Sequence, residues 1–244
     1  MNWFEIKNKT EDSAEVWIYD VIGEDFLGVG IVAKTFVKDL MALDVAHIAL
    51  HINSPGGSVW DGQAIYNAIA RHPAKVTTYV DGLAASIASV IALAGDTVIM
   101  AENALMMIHK GWARVIGNAD EMRDSADVLD KIDETIAGIY ERKTGKDSAE
   151  IASAMAEETW YTASEAVDFG LADQVEEGLQ AAAMVIPESI KARYKHVPED
   201  IDPPAQPVVE TVPSGADEAS GGAPQSKVYD FDMERFKHRR KSNA

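Results

Sequence analysis

Apolar and polar residues alternate in two rhythms between about Val16 and Val175. Short aliphatic and β-branched runs, each bounded by polar residues or glycine, predict strands at Val16-Trp17-Ile18-Tyr19, Ile48-Ala49-Leu50-His51-Ile52, Val76-Thr77-Thr78-Tyr79-Val80, Thr97-Val98-Ile99-Met100 and Leu105-Met106-Met107-Ile108. Between most of them the period lengthens to that of a helix, as in Ala64 to Ile69. The longest predicted helix runs from near Ala119 to Lys143: Met122, Ala126, Leu129, Ile132, Ile136 and Ile139 recur at three- and four-residue intervals, and Gly145 supplies a stop. Its other face is rich in Asp and Glu, as a solvated surface would be. A shorter helix opens at Thr162, where Glu165 completes a capping box, and ends at Gly170, leaving Trp160 and Tyr161 on an extended segment before it. Strands joined by crossover helices predict an α/β fold.

The pattern changes after Gln180. Pro198, Pro203, Pro204, Pro207, Pro213 and Pro224 crowd a stretch made largely of Glu, Asp, Ser, Gly and Ala, which has too little apolar surface to offset the entropy of ordering. The expected organisation is a folded domain over 1–180, a flexible acidic proline-rich linker over 181–226, and an aromatic and basic peptide over 227–244. That last peptide, centred on Val228 to Lys241, reads either as a docking segment for a partner or as a solubilising end.

Composition narrows the chemistry. The chain of 244 residues carries a formal net charge of −18, which argues against a nucleic-acid-binding surface, since phosphate recognition needs clustered Lys and Arg. The absence of cysteine excludes disulfides, thiolate metal sites and a cysteine nucleophile. The segment Met1 to Lys7 lacks a basic stretch followed by an apolar run, and the apolar stretch Leu83 to Ala94 is too short to cross a bilayer, so a cytoplasmic protein is expected.

Three places carry candidate chemistry. Asn53-Ser54-Pro55-Gly56-Gly57-Ser58 joins a strand to a helix, and its paired glycines either present backbone amides to an anion or simply make a tight turn. Asp81-Gly82-Leu83-Ala84-Ala85-Ser86-Ile87-Ala88-Ser89 joins a second strand to a helix whose first turn is expected to hold Ser86. There unpaired amides can stabilise developing negative charge, while Ala84, Ala85 and Ala88 leave room for a substrate backbone. A serine in such a place is more often a helix cap than a nucleophile, and Ser89 is read as a packing residue bonded to the preceding turn. His109 ends a strand, where its near-neutral pKa suits it to take a proton from a hydroxyl. Of the other histidines, His47, His72, His196 and His238 lie in polar or loop contexts, and His51 lies on a strand.

The ordered set I-N-S-P-G-G at Ile52 to Gly57, G-L-A-A-S at Gly82 to Ser86, M-I-H at Met107 to His109 and E-A-V-D-F-G-L-A-D at Glu165 to Asp173 resembles the Clp protease proteolytic subunit over roughly residues 16 to 176. The resemblance implies the ClpP/crotonase-like α/β fold of repeated ββα units with a helical handle, and a ring-type homo-oligomer. It also implies Ser86 as nucleophile, His109 as general base, and the amides of Gly57 and Ile87 as the oxyanion hole. The position matching the family's aspartate is Glu158, with Glu157 as the neighbouring alternative; a glutamate there departs from the family pattern, its extra methylene requiring a shifted backbone. No cofactor and no metal is implied.

Asp61 to Ile69, Val80 to Gly95 and Glu158 to Ala166 are similar to the Clp-like head maturation proteases of tailed phages and prophages, which process capsid and scaffold proteins inside the assembling prohead. The hydrophobic axial segment used for ATPase-ring contacts is not recognisable. The expected function is therefore a serine endopeptidase acting on capsid and scaffold proteins, in the host cytoplasm or the prohead, without nucleic acid or membrane partners. Alternatives are an ATPase-partnered degradative subunit, a crotonase-like acyl-CoA enzyme, and an inert assembly scaffold. A Ser-Lys dyad using Lys110 is a poorer fit, because its lysine would have to be buried and unprotonated.

Overall fold

Along Ser13–Ile18, the residues Ala14, Val16 and Ile18 are buried and their neighbours are not, the two-residue period of a strand with one covered face. The computed structural model describes residues 4–10, 12–23, 30–176, 191–192 and 194–198. In chain order they form β1 (Phe4–Thr10), β2 (Ser13–Ile18), α1 (Ala33–Leu40), β3 (His47–Ser54), α2 (Val59–Ala70), β4 (Lys75–Ala85), α3 (Ile87–Ala92), β5 (Thr97–Ala101), β6 (Leu105–Ile108), α4 (Ala119–Thr144), α5 (Ser148–Ala156), β7 (Thr159–Thr162), α6 (Ala163–Phe169) and β8 (Gln174–Glu176). All five expected strands are present. The opening strand β1 was not predicted: its apolar Phe4 and Ile6 alternate with charged residues, and among the described residues it lies at the sheet edge, paired with β2 alone.

The main sheet runs β1-β2-β3-β4-β5-β8, antiparallel at the first pair and parallel thereafter. β4 forks. Its first half, Thr77–Val80, pairs with β5, while Leu83–Ala85 pairs with Leu105–Met107 of β6 on the same side. At the fork the pairing with β3 slips from Ile52↔Val80 to Ser54↔Ala84, and the buried side chain of Asn53 accepts the Leu83 amide at 3.1 Å in place of a ladder carbonyl. β6 then pairs antiparallel with β7. The fork brings the C-terminal ends of β4 and β6 side by side, and the Ser86 amide donates to the Met107 carbonyl at 2.9 Å.

Helices α1, α2 and α3 pack in series. All six residues of α3 are buried, each large aliphatic side chain among them contributing about 1.5–3 kcal/mol by leaving water. Asn118 begins α4 with a capping box closed by Glu121, and Gly145 ends it in the left-handed region at φ 70. Its buried residues are Ser125, Ile132, Ile136, Ile139 and Tyr140, so it is mainly the second half that packs on the domain. Trp112, Ile116 and Met122, at and before the other end, are about half exposed or more. Among the described residues no helix is long and apolar enough to cross a membrane.

Most of the stretch read as a linker, and all of the C-terminal peptide with His238, lie outside the described residues. The described part of that stretch includes Tyr194, Lys195 and His196, which pack against the domain rather than standing away from it.

Candidate active site

Ser86 lies one residue before α3, as its N-cap, and not inside the first turn as expected. Its backbone, at φ 57 and ψ −130, is in a region that L-residues rarely adopt. Ser86 and Glu158 (φ 53) are the non-glycine residues with positive φ among the described residues, and conformations of this kind cost on the order of 1–3 kcal/mol and persist only where surrounding contacts enforce them. Around Ser86 those contacts are explicit. Its amide is bonded to Met107, its carbonyl accepts the Ser89 hydroxyl at 2.6 Å, and the Ser89 oxygen is in turn 2.7 Å from the Tyr140 hydroxyl of α4. Ser89 is thus bonded to the preceding turn as expected, and tied as well to the long helix.

The Pro55-Gly56-Gly57 turn after β3 lies against this elbow. Gly56 has φ 86, and a β-carbon there would come within 2.6 Å of the Ala85 carbonyl and 2.7 Å of the Ser86 β-carbon. At Gly57, φ 148, it would meet the Ile22 carbonyl at 2.1 Å. The chain is held there by backbone bonds, Ile22 amide to Gly56 carbonyl at 2.9 Å and Ser58 amide to Ile22 carbonyl at 2.7 Å. Neither the Gly57 amide nor the Ile87 amide donates to an acceptor among the described residues. Free donors of this kind are what an oxyanion site requires.

His109 follows β6, and its Nε2 stands 2.7 Å from the Ser86 hydroxyl oxygen. With the neutral ring protonated at Nδ1, the serine donates and Nε2 accepts, the arrangement from which a general base withdraws the proton. Burial holds the imidazole below its ordinary pKa; the Glu158 charge opposes that shift and Lys195 adds to it. Burial thus favours the neutral ring, the form able to accept the serine proton.

Glu158 is buried just before β7, whereas Glu157 is exposed and accepts the Ser153 hydroxyl at 3.0 Å. Of the two neighbours, only Glu158 adds a charge contribution to His109. Its hydrogen bonds go elsewhere: Oε1 accepts the Lys195 and His196 amides at 2.6 and 2.8 Å, while the hydrogen bond His109 makes among the described residues is to Ser86. Tyr194 stands beside them, its ring edge-on to His109 at 5.6 Å and to Trp160 at 5.8 Å, and its hydroxyl donates to the Pro55 carbonyl. The contribution of Tyr194 and its neighbours was not foreseen; the only signal was one tyrosine in a polar, proline-rich run.

The remaining candidates lie apart from Ser86. His72 Nδ1 accepts the Ala74 amide, and Lys110 is exposed rather than buried, so it lacks the environment a Ser-Lys dyad needs. His51 stacks between Trp17 and Tyr79 at centroid distances of 4.0 and 5.1 Å, with Nδ1 2.8 Å from Asp81, whose Oδ2 also accepts the Tyr19 hydroxyl at 2.6 Å. Among the described residues no group of three or more His, Asp or Glu side chains could hold a metal.

A hydroxyl on a forced elbow, an imidazole at bonding distance and two amides without acceptors among the described residues make an arrangement suited to acyl transfer, the chemistry of serine hydrolases. The family model for Clp protease matches residues 3–178. The chain is 32% identical over 178 residues to the ATP-dependent Clp protease proteolytic subunit 1 of Protochlamydia amoebophila, covering 70% of this chain and 84% of that one. To the like-named subunit of Chlamydia abortus it is 34% identical over 182 residues, covering 70% and 94%. Among solved structures, a ClpP1 variant from Listeria monocytogenes superposes with a TM-score of 0.59 at 25% identity, covering 67% of this chain and 91% of that one. The chain belongs to the Clp protease family, with the ClpP-like α/β fold, and is a serine endopeptidase of that family.

Proposed function

We propose that Ser86 is the nucleophile, His109 the general base, and Glu158 the residue that orients and charge-stabilises the imidazole, with the Gly57 and Ile87 amides receiving the oxyanion. The observation that carries this reading is the 2.7 Å contact between Ser86 Oγ and His109 Nε2, set beside two amides without acceptors among the described residues. Ser86 attacks the scissile carbonyl as His109 takes its proton. His109 returns that proton to the leaving amine, and a water then hydrolyses the acyl-enzyme by the same exchange in reverse. The oxyanion formed in each half-reaction accepts hydrogen bonds from the two amides.

The finer reading is a head maturation protease cleaving capsid and scaffold proteins. It is supported by the wording of Asp61 to Ile69, Val80 to Gly95 and Glu158 to Ala166, and by the acidic, proline-rich extension, which suits a protease packaged during assembly. The relatives above are named ATP-dependent, and that favours a second reading as an ATPase-partnered degradative subunit. Incubating the wild type and Ser86→Ala with candidate capsid and scaffold proteins, followed by intact-mass measurement, separates the two. Discrete products from the wild type alone support maturation. Intact substrate in the absence of an ATPase, and its degradation when one is added, supports the second reading.

A further inference from the structure

The carboxylate assigned to steer His109 is engaged by another part of the chain. Two backbone amides, of Lys195 and His196, converge on Glu158 Oε1 at 2.6 and 2.8 Å. Charge-assisted bonds of this length are among the stronger ones a protein makes. One residue earlier, Tyr194 joins the two sides of the cleft. Its hydroxyl reaches the Pro55 carbonyl on the turn that carries Gly57, its ring stands edge-on to both His109 and Trp160, and it packs with Leu83 and Met107 beside the ends of β4 and β6. A substrate backbone must approach Ser86 between the Gly57 turn and the imidazole, next to the groups that Tyr194 bridges.

We propose that Tyr194-Lys195-His196 is an intramolecular strap that docks in the peptidase cleft as a peptide ligand would, covering part of it and drawing Glu158 away from His109. The inference rests on the assignment of Ser86, His109 and Glu158 made above. Displacing the strap frees Glu158 to turn toward His109 Nδ1 and opens the approach to Ser86. A peptide carrying an aromatic residue followed by two free backbone amides has the chemistry to compete for the same place. The chain's own extension thereby regulates the site and marks the kind of segment the cleft accepts.

The test uses the full-length chain. Rates of fluorophosphonate labelling of Ser86 and of hydrolysis of a small peptide substrate are compared for the wild type, Tyr194→Ala, Tyr194→Phe, which loses only the hydroxyl bond, and Lys195→Pro, which loses one amide donor. Each bond removed is expected to raise both rates by about five-fold or more, with Tyr194→Ala the largest. A synthetic peptide of residues 190–198, added in trans, should slow Tyr194→Ala again, and the same peptide with alanine for tyrosine should not. Labelling of the wild type at Ser86 with unchanged or slower rates in the folded variants overturns the strap and leaves the peptidase site standing. Absence of Ser86 labelling in every form overturns both. Circular dichroism identifies which variants are folded, and the trans peptide, tested on wild type as well, keeps the proposal open to refutation if Tyr194→Ala does not fold.

Discussion

The hydroxyl of Tyr140, on the long helix, and that of Ser89, three residues beyond Ser86, are 2.7 Å apart inside the core. Ser89 spends its one proton on the Ser86 carbonyl, so Tyr140 is the donor between them. The long helix is thereby bonded, through one side chain, to the carbonyl of the residue with the unusual backbone. Tyr140→Phe should lower stability by about 1 kcal/mol, a fall of about 2–4 °C in melting temperature. It should also reduce kcat more than it changes KM, because it loosens the elbow and not the cleft. A thermal melt and steady-state kinetics on one preparation check both.

Gly56 is where the turn that carries Gly57 touches the elbow. Alanine there combines a φ of 86 with a β-carbon 2.6 Å from the Ala85 carbonyl and 2.7 Å from Ser86. Either the turn or the elbow must move. Gly56→Ala should cost about 1–3 kcal/mol of stability and at least about 100-fold in kcat/KM, the scale of losing an oxyanion donor. Unchanged turnover would show that the two turns are not coupled.

The pH dependence follows from the environment of His109. Its pKa is lowered, chiefly by burial, so the neutral base persists below the ordinary imidazole pKa, and activity falls only as pH drops through that lowered value. The Glu158 charge acts in the opposite direction, raising the pKa. Glu158→Gln removes that contribution and should move the acid limb of kcat/KM to still lower pH while reducing the plateau. A limb moving to higher pH would contradict the sign.

The family forms ring-type homo-oligomers, and Trp112, Ile116 and Met122 leave apolar surface uncovered at the outer end of α4, Ile116 being 78% exposed. Ile116→Asp should shift the assembly toward smaller species, since each large aliphatic side chain buried at a contact contributes about 1.5–3 kcal/mol. Light scattering after gel filtration reads the outcome, and unchanged mass would remove this surface from the assembly contacts.

Much of this architecture was legible before any coordinates. The five strand runs carry their period locally, as do the long helix expected from near Ala119 and the capped one at Thr162, and each is present. The pairing of Ser86 with His109 came from the order of motifs, since nothing local to either residue says that β4 forks and lays its last residues against β6. Ser86 was expected within the helix; it is the N-cap because its positive φ cannot continue a helical turn. Tyr194 and the amides after it were missed for a plain reason. Their partners Pro55, His109 and Glu158 are 139, 85 and 37 or 38 residues distant, and a composition rich in proline and acid describes how a segment behaves alone, not when it finds a complementary cleft.

The pairing of Ser86 with His109 is tested most directly by treating the full-length protein with a fluorophosphonate and mapping the adduct by peptide mass spectrometry, beside His109→Ala. The account predicts a single adduct on the peptide containing Ser86, slowed by at least about 1,000-fold when the imidazole is removed. An unmodified Ser86, or labelling that proceeds equally fast without His109, would contradict it.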